Sequence, residues 1–288
     1  MKKLRILAPI AIAATLALGA TGCGNSTAPA ASSPVESFPA GTTMAKIQQR
    51  GKIIVGVKFD QPMFGVKNPV TGDMEGLDIE LAKLLAKDLT GSEDNVEYVE
   101  AVTANREAFL QQGKVDAILA SYAVTDERKK AVAFEGPYLE SGVSTMVRND
   151  DSSISNKDDL NGKPVCTTTG ARAAQLLPTL APQAKLTLFG TYSECAQALK
   201  QKRVDAVVTN ESLLLGLMDQ NKGDFKLVGD YMASEEYAIG SAKDDTAWHD
   251  YLDGFLKKIE DNGEWKKAYD NTIGTVKPSD VTPPHVTL

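Results

Sequence analysis

The sequence predicts an α/β fold made of two similar lobes. Short apolar runs alternate with helical patterns along most of the chain, and one segment occurs twice. Gln111-Gln-Gly-Lys-Val-Asp-Ala-Ile-Leu119 is echoed by Lys200-Gln-Lys-Arg-Val-Asp-Ala-Val-Val208, each after a helical pattern and each ending in small polar residues. At 288 residues, 42% hydrophobic and 24% charged, the chain can bury a substantial core in one large or two medium domains.

Residues 43–50 read as a short helix and Lys52-Ile-Ile-Val-Gly-Val57 as a central strand. An irregular loop from Lys58 and a turn at Asn68-Pro-Val-Thr-Gly-Asp73 precede a helix from Gly76, with Leu77, Leu81, Leu84, Leu85 and Leu89 on one side. Residues 95–102 read as a strand, and the next helix starts near Thr103 with Arg106 in its first turn. Phe134-Glu-Gly-Pro-Tyr138 reads as a turn and residues 142–148 as a strand leaving the first lobe. The pattern then repeats: a helical turn at 158–162, a strand at 163–167, a helix beyond Arg172, a strand at 186–189, a helix at 193–200 and a strand at 204–208. Residues 236–241 form a return strand, residues 248–269 a helix broken at Asp261-Asn-Gly263, and the Pro-rich tail from Val276 is loose.

Between Gly113 and Arg128 a buried strand feeds a helix start. Gly113 closes the preceding helix, and Thr125 caps a new one that carries Arg128 in its first turn. Unpaired N–H groups at a helix start attract an anion, and an arginine one turn inside can grip a carboxylate with two parallel hydrogen bonds. This stretch reads as a carboxylate seat; the alternative is a solvated arginine where a helix disfavours a cation.

Residues 1–22 read as a signal peptide: Lys2, Lys3 and Arg5 precede an apolar run, residues 6–20, shorter than the roughly 20 residues a spanning helix needs. Ala20-Thr-Gly-Cys23 resembles the lipobox of bacterial lipoproteins, with Ala20 where Leu is commoner, and makes Cys23 the lipidated first mature residue. Ordinary secretion by cleavage after a small residue is the other reading. Residues 23–42, rich in Ser, Ala, Pro and Thr, form a lipid-anchored flexible linker. The formal charge of −7 deepens once the three cations of the signal segment are removed, and acidity without basic runs argues against nucleic acid or an anionic lipid surface as partner. With Cys23 lipidated, Cys166 and Cys195 remain in an oxidising setting that favours a disulfide, a free catalytic thiol being the rival.

From about residue 52 to 274 the chain resembles the extracytoplasmic solute-binding proteins of family 3, which deliver amino acids to ATP-driven importers. Gly76-Leu-Asp-Ile-Glu-Leu81, Gly113-Lys-Val-Asp116, Thr125-Asp-Glu-Arg128, Phe134-Glu-Gly-Pro-Tyr138 and Asp261-Asn-Gly263 carry the resemblance. Lys58-Phe-Asp-Gln-Pro62, the pair Cys166 and Cys195, Thr191-Tyr-Ser-Glu-Cys195 and Gly223-Asp-Phe225 narrow it to actinobacterial glutamate-binding lipoproteins. It implies a type II periplasmic-binding-protein-like fold: lobe 1 from residues 43–142 and 240–277, lobe 2 from 143–239, two crossing strands between them, and a loose tail at 278–288. It also implies a monomer without cofactor or metal, held outside the membrane by its lipid. Such a protein captures an acidic amino acid, L-glutamate foremost, and passes it to an ABC permease. Aspartate, glutamine, asparagine or a dicarboxylate are the alternative ligands.

By the same resemblance Arg128 holds the α-carboxylate, with backbone N–H groups near Ala123 and around Thr169, Ala171 and Arg172. Ser121 and the Ala120 backbone meet the α-ammonium, Lys58 and Arg106 face the side-chain carboxylate, and Tyr192 caps that end. Paired cations of this kind select a dianionic ligand and reject glutamine. The alternatives are a surface lysine for Lys58 and a core-edge salt bridge for Arg106. Asn210 stands where many relatives place an Asp for the ammonium, and Ala171 and Arg172 where they place small hydroxyl residues. Asn supplies no charge and strand alternation turns Glu211 away. A weaker dependence on the α-amino group is therefore expected, with Asn210→Asp strengthening glutamate binding. An exported dehydratase on the same fold is the rival from a different class, but neither His249 nor His285 falls in a nucleophile–base or metal-ligand pattern. A sensor or adhesin using the same trap would share the pattern.

Overall fold

The computed structural model describes residues 37–277, 281–284, 286 and 287. The expected signal peptide, Cys23 and most of the linker lie outside the described residues.

Helix α1 (Thr43–Arg50) is capped by Thr42, whose side chain accepts the Ala45 N–H, and is stopped by Gly51 in the left-handed region. Strand β1 (Ile53–Val57) follows, buried but for half-buried Ile54. The short strands β2 (Asp60–Gln61), β3 (Gly65–Lys67) and β4 (Met74–Glu75) form an antiparallel flap. Helix α2 (Leu77–Thr90) buries Leu77, Leu81, Leu85 and Leu89, and with them Asp78. Next come β5 (Val96–Glu100), α3 (Arg106–Gln111), β6 (Ala117–Ile118) and the single turn α4 (Asp126–Lys129). Strand β7 (Ala133–Arg148) crosses to the other half, built from β8 (Pro164–Thr168), α5 (Arg172–Leu180), β9 (Lys185–Phe189), α6 (Tyr192–Lys200), β10 (Ala206–Asn210) and α7 (Glu211–Gln220). Strand β11 (Phe225–Ser241) returns, and α8 (Thr246–Asp261) and α9 (Glu264–Asp270), separated at left-handed Gly263, contact α1 and α2. Among the described residues no helix is long and apolar enough to cross a membrane.

One eight-stranded sheet runs in the order β5-β1-β6-β11-β7-β10-β8-β9. Its ends are parallel triplets, β1 between β5 and β6 and β8 between β9 and β10, and its middle is the antiparallel pair β7 and β11. The repeated Val-Asp-Ala segment supplies β6 in one half and β10 in the other. Two α/β halves joined by two crossing strands are therefore what the chain forms.

Phe134-Glu-Gly-Pro-Tyr138, expected as a turn, lies inside β7. Glu135 pairs with Ile239 and Leu139 with Tyr237, so residues 136–138 of β7 oppose Ala238 alone. The Gly136–Pro137 peptide is cis, and Pro137, which has no N–H to give a ladder, sits in this bulge. The dipeptide punctuates locally, but pairing with a strand about a hundred residues away overrides it. Strand β11 also begins earlier than expected, because residues 225–228 pair with 145–148 before the ladder breaks and resumes at Ala233. The tail, read as loose, sets Val281 and Val286 against the largest apolar cluster, and Thr287 donates its N–H to the Gly136 carbonyl at 2.8 Å.

Cys166 of β8 and Cys195 of α6 are buried and joined, with an S–S distance of 1.99 Å. The disulfide reading holds over the free thiol. Closing a loop of this length contributes about 3–4 kcal/mol in the chain-entropy model. Replacing both cysteines by alanine is expected to lower the thermal midpoint by about 6–16 °C, followed by calorimetry, and an unchanged midpoint would show that the bond adds nothing.

Candidate functional site

Many of the buried polar residues converge where the two halves meet. Ser121 and Ala123 after β6, Ala171 and Arg172 after β8, and Thr209 near the end of β10 wall a narrow cavity, together with Glu235 and Tyr237 of β11. Gln61, Thr103, Arg106, Arg128, Tyr192 and Leu213 complete the wall. Loops beyond the carboxyl ends of parallel strands are the ordinary place for a ligand in such sheets. The cavity holds about 20 Å³, little more than one water needs, so the halves stand closed on each other. Arg128 Nη2 donates across to Gly170 O at 2.7 Å, and Ser193 donates its N–H and its Oγ to Asp60 Oδ2 and O at 3.3 and 2.9 Å.

Thr125 caps α4 by accepting the Arg128 N–H at 3.2 Å, and the Arg128 side chain is buried rather than solvated. Its Nη1 donates to Ala123 O, and its Nε pairs with Glu107 Oε1 at 3.2 Å. Burial first, then Arg106, pulls its pKa down to about 10, so it remains a cation at neutral pH. Ala123 bridges Tyr237 through flanking bonds, Val124 N–H to Glu236 O and Ala238 N–H to Tyr122 O. That register turns the Ala123 N–H and carbonyl away from β11.

Arg106, also buried, lines the cavity and braces the loop after β6. Its Nε donates to Thr103 O at 3.2 Å and its Nη1 to Ala120 O and Ser121 O at 3.0 and 3.3 Å, while the guanidinium lies 4.2 Å from the Tyr122 ring centroid. The Ala120 carbonyl, expected to meet an ammonium, is thus held by Arg106. Lys58 is buried as well, so it is no surface lysine, but it stands behind the wall, donating to Thr103 Oγ1 at 2.9 Å. Burial, then Arg106, pushes its pKa well below the ordinary lysine range, with Asp60 and Asp78 opposing.

In the other half, α5 starts with Ala171 at its N-cap and no side-chain cap, so its first N–H groups lack the usual hydroxyl or carboxylate partner at the cap. Thr169 is exposed and gives its N–H to Phe189 O at 2.9 Å, which removes it from the site. Tyr192 is buried in the wall with its hydroxyl 3.2 Å from Thr167 Oγ1.

Asn210 is buried but is not part of the wall. Its Oδ1 accepts the Ser212 N–H at 3.0 Å, capping α7, and its Nδ2 donates to Glu235 Oε2 at 3.0 Å. The buried Glu235 faces the cavity; burial raises its pKa, against Asn210 and Arg128, which lower it. The carboxylate of the wall thus stands on β11, next to the residues read as the return strand. Glu211 lies elsewhere, bonded to the Tyr231 hydroxyl at 2.6 Å and to Lys277. Asp78 was legible only as part of a motif. It accepts the Ser121 N–H at 2.8 Å and the Tyr138 hydroxyl at 2.7 Å, and so holds Ser121 at a φ of 44°, a conformation non-glycine residues rarely adopt. The Ser121 hydroxyl in turn donates to Gln61 Oε1 at 2.6 Å. Among the described residues no cluster of side chains could hold a metal ion.

Two α/β halves on two crossing strands, closed over a cavity walled by buried charge, define a two-lobed solute-binding protein. The chain belongs to the bacterial extracellular solute-binding proteins, family 3, whose model matches residues 53–275. It is 35% identical over 274 residues to the ABC transporter glutamine-binding protein GlnH of Bacillus subtilis, covering 95% of this chain and 98% of the relative. It is 34% identical over 238 residues to the glutamate-binding protein GluB of Corynebacterium efficiens, covering 78% and 80%. Among solved structures, the solute receptor for L-cysteine of Neisseria gonorrhoeae superposes with a TM-score of 0.79 at 31% identity, over 85% of this chain and 99% of that one. These relatives are named as binding proteins and receptors.

Burial raises the Asp78 carboxyl from its ordinary 3.8 to about 7, against hydrogen bonds from Tyr138 and Ser121. A carboxyl raised in this way binds more protons folded than unfolded. Its contribution is fully present below about pH 4 and is lost as pH rises through about 7. Asp78→Asn is therefore expected to flatten part of the fall in thermal midpoint between pH 4 and 7; an unchanged slope would place the titrating group elsewhere, Glu135, raised to about 8, and Glu235, also raised by burial, being the other buried carboxyls of this kind among the described residues.

Proposed function

We propose that this protein captures an acidic amino acid, L-glutamate foremost, between its lobes and delivers it to an ABC permease. Three arginines, Arg106, Arg128 and Arg172, line one small cavity in which Glu235 is the only acidic residue among the described wall residues, and this excess of cations carries the assignment. Buried cations need an anion beside them, and an amino acid with a second carboxylate supplies more charge than a neutral zwitterion. Arg128 takes the α-carboxylate in two parallel hydrogen bonds, helped by the Ala123 N–H and the uncapped start of α5 at residues 171 and 172. Arg106, with Lys58 behind Thr103, faces the side-chain carboxylate, and Tyr192 closes that end. In this reading lobe 1 comprises residues 43–142 and 240–277 and lobe 2 residues 143–239, the lobes hinge on β7 and β11, and the protein works as a monomer anchored through a lipid on Cys23.

Glutamine is the second reading. The inward hydrogen bonds of Arg106 to Ala120 O and Ser121 O, and of Lys58 to Thr103, use part of the cationic capacity within the protein, and a relative named for glutamine is among those above.

Thermal unfolding against L-glutamate, L-aspartate, L-glutamine, L-asparagine and succinate separates the two. A ligand at 100 times its Kd adds about 2.7 kcal/mol, which moves the midpoint by about 5–10 °C. The expected shift comes with glutamate and not with glutamine; the reverse would assign glutamine, and no shift with any of the five would refute acidic amino-acid binding. Arg128→Lys, which keeps the charge and loses the bidentate fork, is expected to weaken the bound amino acid on the order of 100-fold by calorimetry.

A further inference from the structure

Glutamate and glutarate differ by one ammonium group, and Asn210, the last residue of β10, carries no charge to meet it. We infer that Glu235, on the crossing strand β11, is the group that selects for the ligand's ammonium, with Asn210 as its positioning residue. This rests on the acidic-amino-acid reading above.

Three observations converge on it. Glu235 is the carboxylate of the cavity wall and is buried, so it is desolvated and aimed at whatever occupies the space. Its Oε2 is held at 3.0 Å by Asn210 Nδ2, and Asn210 is itself fixed as the cap of α7 through the Ser212 N–H, so the carboxylate is oriented from the second half of the molecule. Its backbone is fixed too. Glu235 pairs with Ser141 of β7 in the short ladder between two register breaks, at residues 228/233 and 237/239 of β11. A carboxylate there belongs to the crossing strands and to neither lobe's parallel triplet. The ligand's positive charge is therefore read by the connection between the halves, while its carboxylates are read by the halves themselves.

An aspartate at position 210 would set a second carboxylate against Glu235 where an amide now donates. Asn210→Asp is thus expected to weaken glutamate binding, the opposite of what the sequence alone leads one to expect.

The test compares L-glutamate with glutarate by titration calorimetry on the wild type, Glu235→Gln and Glu235→Asp. Gln keeps the shape and the acceptor for Asn210 but not the charge; Asp keeps the charge. The wild type is expected to prefer glutamate, and Glu235→Gln to lose glutamate on the order of 100-fold while glutarate is unchanged or tighter. Glu235→Asp is expected to restore part of the preference. If Glu235 serves only to neutralise Arg128, the Gln variant changes both ligands alike, and that outcome, or loss of both ligands, or no change in either, overturns the assignment. A wild type that binds no amino acid overturns the acidic-amino-acid reading and this inference together, whereas a wild type that binds glutamate with an unaffected Gln variant overturns the inference alone.

Discussion

The antiparallel pairing of β7 with β11 is the constraint on which the rest of the structure depends. Each parallel triplet is attached to one edge of this pair, β6 to β11 and β10 to β7. An unpaired strand edge leaves a row of bare N–H and C=O groups, and the long pair covers the inner edge of both halves at once. The breaks in its ladder let the ribbon bend where the halves meet. The same stretch carries Glu235 and Tyr237 into the cavity, with the Tyr237 ring edge-on to Phe64 at 5.6 Å. Scaffold and site are here the same residues.

Around that pair the protein keeps an expensive set of buried charges. Lys58, Asp78, Arg106, Arg128 and Glu235 are all removed from water, and buried ions rarely add net stability even when well paired. Three of them are held by several partners: Arg128 by Ala123, Gly170 and Glu107, Arg106 by three backbone carbonyls, and Asp78 by Ser121 and Tyr138. Such fixed donors and acceptors are what a polar ligand needs, because little reorganisation remains when it binds. Stability is traded for readiness.

Much of this was legible in the residues, and what was not has a physical reason. The helix at Thr43–Arg50, the strand ending at Val57 and the break at Gly263 follow from apolar spacing and a glycine past each helix end, all local signals. Arg128 could be read because its cap, its glycine and its strand lie within one short stretch. Glu235 could not, because nothing in Ser234-Glu-Glu-Tyr237 says which of two neighbouring glutamates turns inward; only the register of β11 against β7 decides. The misreading of residues 134–138 as a turn has the same origin, a partner strand far along the chain. Thr169 dropped out of the site because its N–H extends the pairing toward Phe189, again a choice made across strands.

The bond between Cys166 and Cys195 reaches further than stability. Cys195 lies three residues after Tyr192 on α6, one turn along the same helical face, and Thr167, next to Cys166, touches the Tyr192 hydroxyl. The covalent link thus fixes one wall of the cavity from both sides of the contact. A chain still in a reducing interior would hold that wall by packing alone, so the geometry on which recognition depends becomes fully set when the thiols meet an oxidising compartment. Maturation of the pocket and arrival at the place of work then coincide.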